Sequence, residues 1–206
     1  MSIVKLNNQA VKNATAFGSI SSLGSMTLIK KLTASSSATL SFVDGSSGVV
    51  LDNTYKEYLF TFKNIHPATD NVDFTFNGST DSGSNYNVTK TTTYIEAYHN
   101  ESGTTTSLEY NGSHDLAQST SAQKIAVQIG SSNDESFSGT LSLFNPSSTT
   151  FVKHFNSNIN EYHHSNYTLQ ALVSGYLNTT SAIDSVQFKM SSGNIDAGDI
   201  CLYGIA

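Results

Sequence analysis

The sequence predicts an all-β protein, an antiparallel, jelly-roll-like β-sandwich with an extended N-terminal arm. Three observations carry that expectation. Apolar and polar residues alternate with a period of two in run after run, which is the signature of strands with one buried face. Glycine, asparagine, aspartate and serine gather between the runs, where turns need their backbone freedom. The runs follow one another without the strand-helix rhythm of a parallel sheet, leaving almost no room for helices.

The elements follow in order. Residues 1–31 form the expected arm: Leu6, Val11, Phe17, Ile20, Leu23 and Met26 are scattered among Ser, Gly and Asn with no clean period. A segment apolar enough to be buried, yet without a core of its own, suits docking on a neighbour. Residues 32–206 form the sandwich. Strands are expected at 39–43 and 49–51, joined as a hairpin through DGSSG, whose glycines supply positive backbone angles. In YKEYLFTFKNIHPATDNVDFTFN, residues 55–77, Tyr58, Phe60 and Phe62 share one face against Glu57, Thr61 and Lys63. Val72, Phe74 and Phe76 repeat the pattern against Asp73 and Thr75. Further runs stand at 93–98, 124–129, 139–144, 167–176, 185–190 and 200–205. Between them, 78–92, 100–123 and 146–166 read as long polar loops crossing the ends of a sandwich. In the last run Ile200, Leu202 and Ile205 are expected in the core, with Tyr203 turned to a partner beside the arm.

Composition narrows the function. The chain has 206 residues with 13% charged and a net charge of -6, and all ten of its basic residues are lysines. Without arginine it lacks the planar fork that grips phosphate and guanine edges, and its net charge repels nucleic acid, so no nucleic-acid partner is expected. The opening residues lack the apolar core of a signal peptide and no run of about 18 apolar residues occurs, so neither secretion nor a membrane partner is expected. A lone cysteine, Cys201, fits manufacture in a cytoplasm.

Four groups of residues invite a chemical reading. In NIHPATDN the proline holds His66 extended while Asp70 and Asn71 can close a turn, so His66 is expected at a corner and not in a catalytic centre. In EYHHSNY, Glu161 and His163 would point the same way from a strand and could share a cation, whereas adjacent His163 and His164 would point apart; a loop of solvated histidines is the preferred reading. DSGSNYNV starts like a calcium loop at Asp81 but has Thr92 where the bidentate glutamate belongs. Asp134 and Glu135 look like a turn. No GxSxG elbow and no HExxH helix occurs, and His99, His114 and His154 have no telling partner. No catalytic residue, cofactor site or metal site is therefore expected. Tyr86, Tyr110 and Tyr162, in Asn- and Ser-rich surroundings, would suit stacking on a sugar, which makes a carbohydrate-binding module the second functional expectation.

Three stretches, YKEYLFTFKNIHPATDNVDFTFN, GTLSLFNPSSTTFVKHF and TTSAIDSVQFKMSSGNIDAGDICLYGIA, resemble small virion structural proteins of marine tailed phages, particularly those of cyanobacterial and pelagic hosts. The likeness runs from about residue 55 to the end. It implies a non-enzymatic subunit of a tail appendage, a fibre or the capsid surface, located in the virion and made in the host cytoplasm. It also implies other virion proteins as partners; the assembly reading adds a homo-oligomer such as a trimer, and the loop tyrosines add a host surface glycan as a receptor. Few charges and many small hydroxyl side chains agree with a surface that is buried against neighbours at little desolvation cost.

Overall fold

The computed structural model describes residues 25–206, so of the expected docking residues Leu6, Val11, Phe17, Ile20 and Leu23 lie outside it and Met26 lies inside. The described residues hold twelve strands: β1 (Met26–Thr33), β2 (Leu40–Val43), β3 (Glu57–Pro67), β4 (Val72–Ser79), β5 (Lys90–Asn100), β6 (Thr106–Tyr110), β7 (Gln123–Ile129), β8 (Phe137–Phe144), β9 (Lys153–His163), β10 (Tyr167–Leu177), β11 (Ser185–Met190) and β12 (Ile195–Ile205). All pairings are antiparallel. No helix among the described residues is long and apolar enough to cross a membrane.

The strands form two layers that curl nearly shut. One runs β1-β12-β3-β8-β9-β10-β5-β6 and the other runs β7-β4-β11-β2. They join at the end of β9, where Ile129 of β7 pairs with His163. Only β5–β6, β8–β9 and β9–β10 are neighbours in sequence; every other pair brings distant segments together. The expected sandwich is thus the fold.

Its core is aromatic. Phe188 of β11 lies 5.2 Å from the rings of both Phe60 and Phe62 across the sandwich, and 5.8 Å from Phe74 on its own layer. Phe42 of β2 reaches Phe60 at 5.3 Å, and Phe76 of β4 reaches Phe155 of β9 at 4.8 Å. Edge-to-face pairs of this kind add to the stabilisation from area burial. Two irregularities bend the far end of β3. Asn64 takes φ 48° inside a bulge between Phe62 and Ile65, and opposite it Gly198 takes φ 115°, a value only glycine adopts readily.

Several expectations need correction. The segment 146–166 is mostly β9, not a loop. Its inward residues are Lys153, Phe155, Ser157, Ile159, Glu161 and His163, so buried polar groups hide the period. The segment 100–123 likewise contains β6, exposed along most of its length. Residues 49–51 form no strand: DGSSG does turn the chain, with Gly45 and Gly48 at positive φ, but β2 pairs with β11 instead. The 31/32 boundary falls inside β1, which pairs with β12 along Met26–Thr33. Ile200 and Leu202 are buried as expected, but Ile205 sits on the other face, and the small Gly204 takes the inward place against the Tyr55 ring.

Candidate functional site

Strand parity decides where each singled-out side chain goes. His66 lies within β3, because the strand continues through Pro67 and the turn comes only at residues 68–71. There its Nε2 sits 3.1 Å from the Ser132 carbonyl and its Nδ1 sits 3.6 Å from Asp196. Asp70 accepts the Ser131 amide at 3.1 Å, so the NIHPATDN stretch ties β3 to the loop after β7. Asp81 is spent on a turn of its own, accepting from Ser79, from the Asn85 amide and from the Asn85 side chain at 2.7–2.9 Å. Those bonds hold its carboxyl below the usual range, the Asn85 side chain first among them. Glu135 likewise closes its turn by accepting the Ser132 amide at 2.6 Å.

Within EYHHSNY, Glu161 and His163 are buried at the end of β9, His164 is half-buried, and only Ser165 and Asn166 stand in solvent. Glu161 and His163 do share a face of β9, but they take separate partners. Glu161 is fully buried and accepts the Val127 amide on both carboxylate oxygens, at 2.9 and 3.2 Å. Burial raises its pKa well above the ordinary value. His163 faces Gln128 Oε1 through Nε2 at 3.2 Å and accepts the Ser165 amide on Nδ1 at 3.1 Å. Burial, then the neighbouring His164, pushes its pKa down to about 4. His164 does not point away. The strand ends at His163 and the following turn brings the two rings to 4.6 Å. No group of three or more His, Cys, Asp or Glu among the described residues is arranged to hold a metal ion.

The three loop tyrosines are not brought together. Tyr86 donates to or accepts from Ser185 at 2.7 Å beside β4 and β11, Tyr110 stands at the end of β6 and bonds Asp115, and Tyr162 of β9 bonds Glu101 and Asn166.

Two outward-facing patches emerge instead, both on the outer face of the eight-stranded layer. At one end β1 and β12 place Met26 beside Ile205 and Leu28 beside Tyr203, with Leu59 of β3 next in that row. Leu28 is 53% exposed. At the other end Tyr110, Ile95 and Leu172 form one row across β6, β5 and β10, and Leu108 and Ala97 form the next. Leu108 is 76% exposed. Between the patches β8 and β9 present Ser138, Thr140, Ser142, Asn156, Asn158 and Asn160. Of these residues Met26 and Tyr203 stood out in the sequence for docking, Tyr110 for sugar stacking and Ile205 for the core; the others did not, because a strand with apolar residues on its outer face reads like any other period-two run.

A cavity lined by both polar and apolar side chains lies on the inner side of the second patch. It measures about 270 Å³ and takes its walls from β5, β6, β7, β9 and β10 and the loop after β6. Glu96 and Glu109 are direct cross-strand partners, and Tyr98 and Tyr167 stand edge to face at 5.6 Å. Asn111 bonds Glu96 Oε1 at 3.1 Å, while Glu96 Oε2 and His114 Nδ1 face each other at 3.7 Å, both buried and both without a hydrogen-bond partner. Contact with His114 and Asn111 outweighs burial and holds the Glu96 carboxyl below its ordinary range. Compared with protein-family models, with curated proteins and with solved structures, the chain matches none.

Proposed function

We propose that the chain is a non-enzymatic structural subunit of a phage virion, a tail appendage, fibre or capsid decoration protein, that assembles with copies of itself through the two outer patches. The pair of exposed apolar patches at opposite ends of one sheet carries this reading. Their centres, on β12 and β5, lie five strand spacings apart, roughly 24 Å along the sheet, with the polar outer rows of β8 and β9 between them, so they are two surfaces and not one. Burying partly exposed leucine, isoleucine and tyrosine side chains contributes roughly 1 kcal/mol or more each, enough in sum to oppose the cost of association. Two unlike patches on one chain suit head-to-tail contact, which closes into a ring such as a trimer when the rotation allows. The uncharged Ser, Thr and Asn rows between them can be approached without stranding ions. The resemblance of residues 55–206 to virion proteins supplies the setting. Residues 1–24 were expected to help in docking and lie outside the described residues.

The test is the solution mass of the chain and of two variants, Leu28→Asp at one patch and Leu172→Asp at the other. Head-to-tail assembly predicts that the parent is oligomeric, that each variant alone is monomeric, and that the mixed variants form a heterodimer, since one intact pair of patches remains. A monomeric parent at about 0.1 mM, on the affinity scale where weak specific contacts register, removes the proposal.

A further inference from the structure

The outer patch and the inner cavity are two faces of one strand: β5 turns Ile95 outward and the carboxylate of Glu96 inward. We propose that this cavity is a binding site for a single neutral saccharide unit. The inference does not rest on the assembly reading, which uses the opposite face.

Glu96 is 5% exposed, and its Oε2 has no hydrogen-bond partner. Asn111 satisfies the other carboxylate oxygen, so the shortfall falls on Oε2 alone; a buried acceptor without a hydrogen bond costs about 1–3 kcal/mol. His114 Nδ1, also unpartnered, stops 3.7 Å away, beyond hydrogen-bond reach. Both atoms have almost no accessible surface, so a ligand hydroxyl, which is both donor and acceptor, satisfies the two at once when the side chains part to admit it.

The rest of the wall selects the ligand. Phosphates and other anions are disfavoured, because the lining holds two carboxylates and no lysine. A bare organic cation would engage Glu96 and Glu109 but leave the amides and imidazoles idle. A polyhydroxylated ring uses the mixture: carboxylates accept, Asn111 and Gln128 offer amides, and the Tyr98 and Tyr167 rings meet the apolar C–H face. The cavity of about 270 Å³ is of a size for a single sugar ring.

Saturation-transfer NMR on the full chain tests this with glucose, galactose, mannose and N-acetylglucosamine, and with ethanolamine and putrescine as charge-only probes. The same sugars displayed as terminal units on a glycan array distinguish a free sugar from the end of a surface polysaccharide. The expected result is millimolar binding of at least one saccharide, weakened at least tenfold in Glu96→Gln and in His114→Gln and unchanged in Tyr86→Phe. Either cavity variant decides the matter if the other fails to fold. Transfer to no sugar at tens of millimolar, transfer to the amines alone, or equal binding by parent and cavity variants overturns the proposal.

Discussion

Replacing Lys90 with methionine is expected to erase a pH dependence that the parent chain shows above neutrality. Lys90 is fully buried at the start of β5, and its amine is held by Asn77 Oδ1 at 2.6 Å and by the Val88 carbonyl at 2.7 Å. Neither partner is ionised, so no opposite charge offsets the loss of hydration, and burial lowers the pKa from 10.5 to about 7. Below pH 7 both the folded and the unfolded chain hold this proton, and Lys90 contributes no slope. Between about pH 7 and 10.5 the unfolded chain keeps a proton that the folded chain has released, so stability rises with pH. Integrating one such group from pH 7 to 9 gives about 2 kcal/mol, or roughly 5–9 °C in melting temperature for a domain of this size. Lys153, also held down by burial, adds in the same direction, so the comparison of parent and variant isolates Lys90. Tyr58, pushed up to about 12 by burial, opposes the trend only above about pH 10. Thermal melts across pH 7–9 supply the measurement. The parent should gain several degrees more than Lys90→Met; equal slopes in the two chains would show that the buried amine stays protonated and that the reasoning is wrong.

Two further outcomes follow from the same interior. Phe188→Ala removes the ring that Phe42, Phe60, Phe62, Phe74 and Phe76 all surround, and should cost about 3–5 kcal/mol in denaturant titration; a loss under about 1 kcal/mol would mean that the aromatic cluster is not the centre of the core. His163 has a folded pKa near 4 against 6.5 for the free side chain, so below pH 6.5 the unfolded chain binds a proton that the folded chain refuses. Stability should therefore fall by up to about 3 kcal/mol as pH drops from 6.5 to 4. Glu161, with its pKa raised, acts in the opposite sense, which makes His163→Gln the informative comparison: the variant should lose less stability on acidification than the parent.

How much of this was legible in the sequence depends on what each strand buries. The runs around Tyr58, Phe60 and Phe62, Val72 to Phe76, Ile125 to Ile129 and Leu169 to Val173 put apolar residues inward, and period two alone finds them. β9 defeats that reading because four of its six inward residues are Lys153, Ser157, Glu161 and His163, whose partners lie on other strands and appear only on folding. β1 escapes for a different reason: its bulge between Leu28 and Lys30 breaks the alternation, leaving Ile29 and Leu32 packed toward the core and Leu28 outside. The cavity was invisible for the same cause as β9. Glu96 looked like the polar side of an ordinary strand, and nothing local says that His114, eighteen positions on, comes to face it.

Those failures share one physical origin, and it bears on function. Along β5 the inward positions are Tyr94, Glu96 and Tyr98, while Ile95 looks out; on β10 Leu172 looks out; on β9 Glu161 looks in. Because side chains alternate strictly, a one-residue shift of register would have put Ile95 inside and Glu96 in water, the arrangement that hydration alone prefers. The chain holds the opposite register through full-length ladders of β5 with β10 and of β10 with β9. An inverted strand bears a double burden, apolar area left in water on one face and an ionised carboxylate withdrawn from it on the other. Contacts with a second molecule relieve each: a neighbouring subunit over Ile95, Leu108 and Leu172, and a hydroxylated ligand at Glu96. The inversion at one end of the sheet is therefore the common root of both proposals, and it places assembly and recognition back to back on the same three strands.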